Sequence, residues 1–172
     1  MVNILCVIDM QNDFIDGALG TREAEGIVSG VVKRVREHKG VLFFTRDTHG
    51  EDYLTTSEGK NLPVKHCIKG TLGWQICDGL LPYVTDENVI DKPTFGSAKL
   101  ARLISERFAG EEISVTLVGL CTDICVISNA MLLKAYMPEA SIYVDSALCA
   151  GVNPESHERA LLSMKTCQIT VI

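Results

Sequence analysis

Two cysteines that lie four residues apart, Cys121 and Cys125 in the stretch GLCTDICV, could support several kinds of thiol chemistry. They could form a disulfide, supply half of a metal site, act as a redox couple, or pair a nucleophile with an inert neighbour. A disulfide across the first turn of a helix needs specific geometry, and the spacing C-x-x-x-C differs from the C-x-x-C of thioredoxin-like proteins. A nucleophile or a buried, inert thiol is therefore the better interpretation of Cys125.

The elements that must position these thiols follow from the hydrophobic pattern. Six apolar runs are typical of strands in a buried parallel sheet: NILCVID, GVLFFTRD, NVIDK, ISVTLVG, SIYVDS and CQITVI. Helical patterns alternate with them, which implies right-handed crossovers and a sheet covered on both faces. We therefore predict an α/β fold of three layers with a mostly parallel six-stranded sheet, in a single domain over residues 1–172.

Capping residues predict where three helices begin. Ser97 and Thr122 each precede a helical pattern and are candidate N-caps. Asn153 is followed by Pro154, which suits the first helical position because proline has no N–H to leave unpaired there.

Reactive side chains follow four of the predicted strands. Asp9 ends the first, Asp47 ends the second, Lys92 ends the third, and Cys121 with Cys125 comes after the fourth. Ligands of such sheets bind at the carboxyl ends of the strands. We therefore expect these side chains to converge on one edge of the sheet.

Cys125 has a physical case as a nucleophile. If Thr122 caps the helix, Cys125 lies in its first turn, where free N–H groups and the helix dipole favour a thiolate and could bind an oxyanion. Lys92 could lower the pKa of the thiol further, and Asp9 could accept its proton. Taken singly, each also has an ordinary role: a buried small side chain for Cys125, a cap for Asp9 and a solvated strand end for Lys92. The side chain of Cys121 is predicted to point away from the site.

A second group of residues suits a metal ion. Asp47 and His49 alternate by two, so both can point the same way in extended chain, and Glu58 and His66 follow. A carboxylate with two histidines suits a divalent transition metal that keeps open positions for water or substrate. Alternatively, His49 is a surface loop residue and His66 a hydrogen-bonded internal histidine. His38 and His157 are predicted to be solvated on polar helical faces.

Three motifs together resemble the isochorismatase-like cysteine hydrolases: VIDMQNDF, DKPTFGS and VGLCTDICV, which occur in the expected order along nearly the whole chain. The resemblance implies a Rossmann-like fold and an aspartate–lysine–cysteine triad, which maps onto Asp9, Lys92 and Cys125. It also implies a cis peptide bond between Leu120 and Cys121, with the backbone N–H groups of Cys121 and Cys125 forming an oxyanion hole.

Within this family, the D-x-H pair and the later segment PVKHC resemble nicotinamidases. The resemblance implies a divalent metal, zinc first and manganese or iron as alternatives, bound by Asp47, His49 and His66, with Glu58 similarly placed. Isochorismatases proper and carbamoyl amidases do not carry this metal set. The implied activity is hydrolysis of nicotinamide to nicotinate and ammonia through a cysteine thioester; the alternative is another small amide or an N-carbamoyl substrate.

The same comparison suggests which residues line the substrate site. Phe14, Leu62 and Phe95 are the candidates. Leu62 occupies a position at which nicotinamidases often have an aromatic residue, so Trp74 or Tyr53 could supply ring stacking instead.

Charge and cysteine usage bound the partners. A net charge of -6 without long charge runs disfavours nucleic acid and anionic membranes. No stretch approaches a membrane span, and the N-terminal residues lack a basic leader. Seven irregularly spaced cysteines indicate reduced thiols. We therefore expect a cytoplasmic protein with a small-molecule amide substrate, and a homo-oligomer is compatible with the sequence.

Overall fold

Six parallel strands form the central sheet of the computed structural model, which describes residues 1–172. The strands are β1 (Val2–Ile8), β2 (Val41–Asp47), β3 (Val89–Lys92), β4 (Ile113–Leu120), β5 (Ser141–Ala150) and β6 (Thr170–Val171). Their order across the sheet is β3-β2-β1-β4-β5-β6, and every neighbouring pair is parallel. The chain winds outward in both directions from β1 and β4, so the switch point of the sheet lies between these strands.

Helices cover both faces of this sheet. They are α1 (Asn12–Ile15), α2 (Arg22–Glu37), α3 (Ser57–Asn61), α4 (Ala98–Arg107), α5 (Ile127–Tyr136) and α6 (Pro154–Thr166). Helix α2 packs on one face, and α4, α5 and α6 pack on the other. The predicted three-layer α/β fold with a parallel six-stranded sheet is confirmed. No helix is both long enough and apolar enough to span a bilayer.

Strand β1 shows why its sequence is a continuous apolar run. Ile4, Cys6 and Ile8 belong to the core beneath α4, α5 and α6, whereas Leu5 and Val7 belong to the core beneath α2. All five side chains are at most 1% exposed. Removing each large aliphatic side chain from water contributes about 1.5–3 kcal/mol, so β1 anchors both layers.

Two of the three predicted caps are confirmed. The Ser97 side chain accepts a hydrogen bond from the Leu100 N–H at the start of α4. Asn153 and Ser156 form a capping box at the start of α6, with Pro154 in its first position. Both caps satisfy N–H groups that a helix start leaves without a partner.

The third cap, Thr122, was predicted wrongly. A short π-helical turn, Thr122–Val126, precedes α5, and its N-cap residue is Cys121. The Thr122 hydroxyl instead hydrogen-bonds His157 Nδ1 at 2.8 Å, so His157 is not a solvated residue as predicted. His38 also differs from that prediction, because burial and the charge of Arg34 lower its pKa.

The turn from β4 into this π-helical segment has two unusual backbone features. The peptide bond between Leu120 and Cys121 is cis, as the family resemblance implied. Gly119 has a φ of 116°, and a Cβ there would lie 2.1 Å from the Ile8 carbonyl oxygen. Only glycine therefore fits at this position, where β4 pairs with the last residue of β1.

Candidate active site

The carboxyl ends of β1 to β4 bring the predicted side chains together, as the fold requires. Asp9 follows β1, and Asp47 and Lys92 are paired residues at the ends of β2 and β3. Cys125 approaches from the turn after β4. All four are at most 4% exposed, so they interact in a region from which water is largely excluded.

Lys92 is the centre of this group. Its Nζ lies 2.7 Å from Asp9 Oδ2, 3.1 Å from Asp47 Oδ1 and 3.5 Å from Cys125 Sγ. Burial acts to lower the pKa of Lys92, but the charges of Asp9, Cys125 and Asp47 outweigh it and raise the pKa above its ordinary value. Lys92 therefore stays an ammonium ion. A solvated strand end, the alternative interpretation of this residue, is excluded.

The Asp9 carboxylate is held by a neighbour that the sequence analysis missed. Thr45 Oγ1 donates to Asp9 Oδ1 at 2.7 Å and accepts from the Asp9 N–H at 3.2 Å. Burial raises the pKa of Asp9, and the opposing effect of Lys92 does not cancel it. A carboxylate with a raised pKa can take up a proton and return it.

The Cys125 thiol retains its proton in this environment. Burial raises its pKa well above the ordinary value, the charge of Asp9 raises it further, and Lys92 compensates only in part. This differs from the expectation of a favoured thiolate, because complete burial outweighs the nearby lysine. Attack by Cys125 on a substrate therefore needs a base, and Asp9 is the carboxylate whose charge acts most strongly on the thiol.

Cys121 borders the same cavity as Cys125, and it packs against the core beneath α2. The direction of its side chain relative to the site stays a prediction. Burial, with the charge of Asp123, raises the pKa of its thiol to about 12. Both cysteines, like the other five, are free thiols.

Asp47, His49, Glu58 and His66 form the predicted cluster of potential metal ligands. One ligand atom from each lies within 4.8 Å of all the others. His49 Nε2 is 2.9 Å from Asp47 Oδ2 and 3.5 Å from Glu58 Oε1, while His66 Nε2 is 3.7 Å from each of these oxygens. Ligands 2.0–2.2 Å from a tetrahedral ion would be about 3.4 Å apart. The donor set therefore fits a divalent transition metal in both spacing and chemistry.

Hydrogen bonds orient two members of this cluster. His66 Nδ1 lies 2.8 Å from the Val64 carbonyl oxygen, which leaves Nε2 free to face Asp47 and Glu58. Burial acts to raise the pKa of Asp47, but hydrogen bonds from His49 and His66 and the charge of Lys92 lower it below its ordinary value. Asp47 therefore stays a carboxylate.

Asp47 also joins the cluster to Lys92. Its Oδ2 faces the histidines, whereas its Oδ1 bonds Lys92. Gln11 fixes the backbone of Asp47 from both sides: its Oε1 accepts from the Asp47 N–H at 2.7 Å and its Nε2 donates to the Asp47 carbonyl at 2.9 Å. Gln11 is fully buried. Apart from its place after the first strand, no local sequence pattern predicts this role.

A cavity of about 230 Å³ borders both cysteines and three members of the cluster. It is lined by eight hydrophobic and four polar residues: Phe14, Leu19, Thr21, Asp47, Glu58, Leu62, His66, Phe95, Cys121, Ile124, Cys125 and Val152. The three predicted substrate-binding residues are all among them. No lysine or arginine lines the cavity.

Neither alternative source of ring stacking lines this cavity. Tyr53 is fully buried, with its ring 4.6 Å from that of His49 and 5.0 Å from that of His66, so it supports the histidines from behind. Trp74 packs under the Arg46 guanidinium at 3.7 Å, and its indole N–H donates to Thr48. Phe14, whose ring lies 5.5 Å from that of His66, and Phe95 are the aromatic residues of the wall.

Two proteins resemble this chain in sequence over nearly its whole length. An isochorismatase family protein of Bacillus subtilis, PncA, described as uncharacterized, is 31% identical over 94% of this chain and 93% of its own. A probable inactive nicotinamidase of Arabidopsis thaliana is 29% identical over 94% of this chain and 87% of its own.

Two solved structures extend the similarity to three dimensions. Pyrazinamidase of Pyrococcus horikoshii in complex with zinc matches with a TM-score of 0.83 at 26% identity, over 100% of this chain and 99% of that one. Nicotinamidase PncA of B. subtilis matches with a TM-score of 0.79 at 28% identity, over 99% of both chains. The family model of the Isochorismatase domain matches residues 3–172, and the chain therefore belongs to the isochorismatase family.

Proposed function

We propose that this chain is a metal-dependent nicotinamidase that converts nicotinamide to nicotinate and ammonia. The observation that carries the proposal is the arrangement around one apolar cavity. Cys125, whose sulfur contacts Lys92 and through it Asp9, lines the cavity together with three members of the ligand cluster. Solved relatives named as a nicotinamidase and as a zinc-bound pyrazinamidase support the same substrate class.

In the first half of the reaction, Asp9 takes the Cys125 proton as sulfur attacks the amide carbonyl carbon. The carbonyl oxygen becomes an oxyanion, which the backbone N–H groups of Cys121 and Cys125 stabilise. Lys92 balances the negative charge as it passes between the carboxylate and the sulfur, since its Nζ contacts both. Asp9 then returns the proton to the leaving nitrogen, the C–N bond breaks, and ammonia departs from a thioester on Cys125.

In the second half, water replaces ammonia. Asp9 accepts a proton from the water molecule, whose oxygen attacks the thioester carbon, and the same N–H groups hold the oxyanion. The C–S bond breaks, nicotinate forms, and the proton returns to the sulfur. Thr45 keeps the Asp9 carboxylate oriented throughout through its hydrogen bond to Oδ1.

The ligand cluster has a positioning role in this proposal. Asp47, His49 and His66, with Glu58 as the fourth candidate, would hold the ion, zinc first and manganese or iron as alternatives. The bound ion would supply a fixed positive charge that attracts the lone pair of the pyridine nitrogen. The cluster would thus orient the ring so that its amide faces Cys125.

The cavity wall favours a neutral substrate over a carboxylate. Eight of its twelve residues are hydrophobic, no lysine or arginine lines it, and Asp47 and Glu58 are acidic. A carboxylate-bearing N-carbamoyl compound would find no lysine or arginine on this wall to pair with its charge, and burying a charge without such a partner is costly. Its one strong cationic partner would be the proposed ion, which a ring nitrogen would otherwise occupy. Among the alternatives, another small neutral amide fits better than a charged N-carbamoyl substrate.

Ammonia release tests the proposal. The purified protein is assayed with nicotinamide, with pyrazinamide and with a carboxylate-bearing N-carbamoyl amino acid, before and after chelation and after metal is restored. We expect turnover of the two neutral ring amides, loss on chelation and recovery with a divalent ion. Absence of nicotinamide turnover in the metal-loaded protein would refute the proposed substrate. The assay is needed because one relative is named as a probable inactive nicotinamidase.

A further inference from the structure

Asn129, which the catalytic scheme above does not use, joins the wall of the cavity to the segment that carries Cys125. It lies in the first turn of α5, four residues after Cys125, and is 1% exposed. Its Nδ2 donates to the Cys125 carbonyl at 2.8 Å and to the Phe95 carbonyl at 3.2 Å. Its Oδ1 accepts from the Ser97 N–H at 3.0 Å. Both amide hydrogens and one acceptor site are therefore in use.

The segment that Asn129 holds, residues 93–97, contributes to the site twice. The Thr94 carbonyl accepts from Lys92 Nζ at 3.1 Å, and the Phe95 ring lines the cavity while remaining 42% exposed. Ser97 ends the segment as the cap of α4. Gly96 packs so closely on α5 that a Cβ there would lie 2.7 Å from Leu132 Cδ1. Asn129 supplies the polar part of this contact.

We propose that Asn129 is a positioning residue that sets the placement of Cys125 relative to Phe95 and Lys92. The inference rests on the proposed function, because it assigns Asn129 to the attack of Cys125 on a ring amide. Hydrogen bonds from one side chain to the carbonyls of both Phe95 and Cys125 fix the distance between these two residues. The packing of α5 alone would allow that distance to vary. Rates of attack are sensitive to such displacements, and a shift of about 1 Å can cost about 100-fold.

The first test is Asn129→Ala, assayed by steady-state kinetics with the metal-loaded protein. We expect kcat to fall about 10- to 100-fold while KM changes less than about threefold. The reason is that every residue lining the cavity is retained and only the placement of the nucleophile changes. Metal content is expected to stay at the wild-type value, since Asn129 makes no hydrogen bond to a member of the cluster.

Two controls separate positioning from a structural effect. Ser128 Oγ donates to the Ile124 carbonyl, four residues earlier in the chain, at 2.6 Å, just as Asn129 donates to the Cys125 carbonyl. Unlike Asn129, Ser128 makes no hydrogen bond to residues 93–97. Ser128→Ala should therefore keep kcat within about twofold of wild type. Leu133→Ala removes a buried side chain from the same helix and should lower the thermal unfolding temperature without the loss of kcat.

Asn129→Ala removes the hydrogen bonds that this side chain makes to three backbone groups and could fail to fold. Asn129→Asp then provides a second variant of nearly the same size. It keeps the oxygen that accepts from the Ser97 N–H but loses the amide hydrogens that bond the Cys125 and Phe95 carbonyls. We expect a several-fold loss in kcat at near-constant KM. Wild-type kcat in a folded Asn129→Ala or in Asn129→Asp would overturn the inference, as would an equal loss in Ser128→Ala.

A readout without substrate distinguishes failure of this inference from failure of the proposed function. Absence of nicotinamide turnover in the wild type refutes the function but leaves the geometry open to test. The rate of Cys125 alkylation by iodoacetamide, followed by mass spectrometry, should then be at least fivefold lower in Asn129→Ala, because the sulfur loses its fixed distance to Lys92. An unchanged alkylation rate would overturn the positioning role.

Discussion

At the scale of single residues, the site depends on the buried ammonium group of Lys92, which contacts two carboxylates and one thiol. Lys92 contacts Asp9, Asp47 and the Cys125 sulfur, and it is 1% exposed. Two carboxylates buried without this cation would carry a large desolvation cost. The residue that orders the proposed chemistry is therefore also required for the stability of the fold.

Lys92→Met tests this dual role. The substitution retains an unbranched side chain but removes the charge, so Asp9 and Asp47 lose their common partner. We expect the free energy of unfolding to fall by about 3–5 kcal/mol, as for other broken buried pairs, together with loss of turnover. Urea unfolding followed by circular dichroism measures the change. A loss below about 1 kcal/mol would show that the carboxylates are satisfied without the lysine.

The ligand cluster gives a second prediction at this scale. Metal analysis of the wild-type protein should find a bound divalent ion, and His49→Ala should lose it because one of the two histidine ligands is removed. His38→Ala is the matched control, since His38 follows α2 and does not belong to the cluster. Full occupancy in His49→Ala would refute the proposed set of ligands.

At the scale of elements, the sequence predicted the strands and the helix caps that depend on residues close together in the chain. The strands could be recognised because both faces of the sheet are covered, so their apolar runs are continuous. Ser97 and Asn153 could be recognised because a cap bonds an N–H only three residues away. Thr122 could not, because its hydroxyl bonds His157, which is 35 residues distant in sequence.

Asn153→Ala tests one of these local interactions quantitatively. The Asn153 side chain accepts from the Ser156 N–H at 2.9 Å, and the substitution leaves that donor at the start of α6 without its partner. We expect destabilisation by about 0.5–2 kcal/mol, measured by chemical unfolding. Because Asn153 is exposed and does not line the cavity, turnover below the melting transition should be unchanged. An increase in stability would show that the box does not stabilise α6.

The site was predictable to the extent that strand order determines it. Asp9, Asp47, Lys92 and Cys125 follow strands whose carboxyl ends must meet at one edge. Supporting residues such as Thr45, Gln11 and Asn129 were missed because their partners lie far away in sequence. Thr45 had a weak signal, since it precedes Asp47 by two on the same strand and thus shares its face.

At the scale of the whole molecule, burial of two thiols in the core beneath α4, α5 and α6 couples stability to alkaline pH. Cys6 is fully buried, and burial raises its pKa from 9.0 to about 12. Burial raises the pKa of Cys149 to about 12 as well. A raised thiol pKa contributes stability that is complete below pH 9, where both the folded and unfolded states hold the proton. The contribution is lost as pH rises towards 12, because the unfolded state releases the proton first.

The corresponding prediction concerns the slope of stability against pH. Between pH 9 and pH 11, the free energy of unfolding of the wild type should fall as pH rises. In Cys6→Ala this fall should be smaller by about 1.4 kcal/mol per pH unit, which is the contribution of one proton. Val7→Ala, in the other face of β1, should lower stability at every pH and leave the slope unchanged. Equal slopes in wild type and Cys6→Ala would contradict the assignment of this buried thiol.

Features beyond the single chain remain predictions. The acidic net charge of -6 still disfavours nucleic acid and anionic membranes as partners. Cytoplasmic location, a single domain over residues 1–172 and a homo-oligomeric state are expectations from the sequence. The architecture of the isochorismatase family is common to the whole molecule, so the substrate must be decided at the cavity rather than by the fold.

Substitution of Cys125 and of Cys121 in turn tests most directly whether Cys125 is the nucleophile. Ammonia release from nicotinamide is measured for the metal-loaded wild type, Cys125→Ala and Cys121→Ala. Loss of the nucleophile should abolish turnover, whereas Cys121 is proposed to contribute only its backbone N–H, so Cys121→Ala should keep most of the activity. Activity retained in Cys125→Ala, with or without loss in Cys121→Ala, would contradict the account.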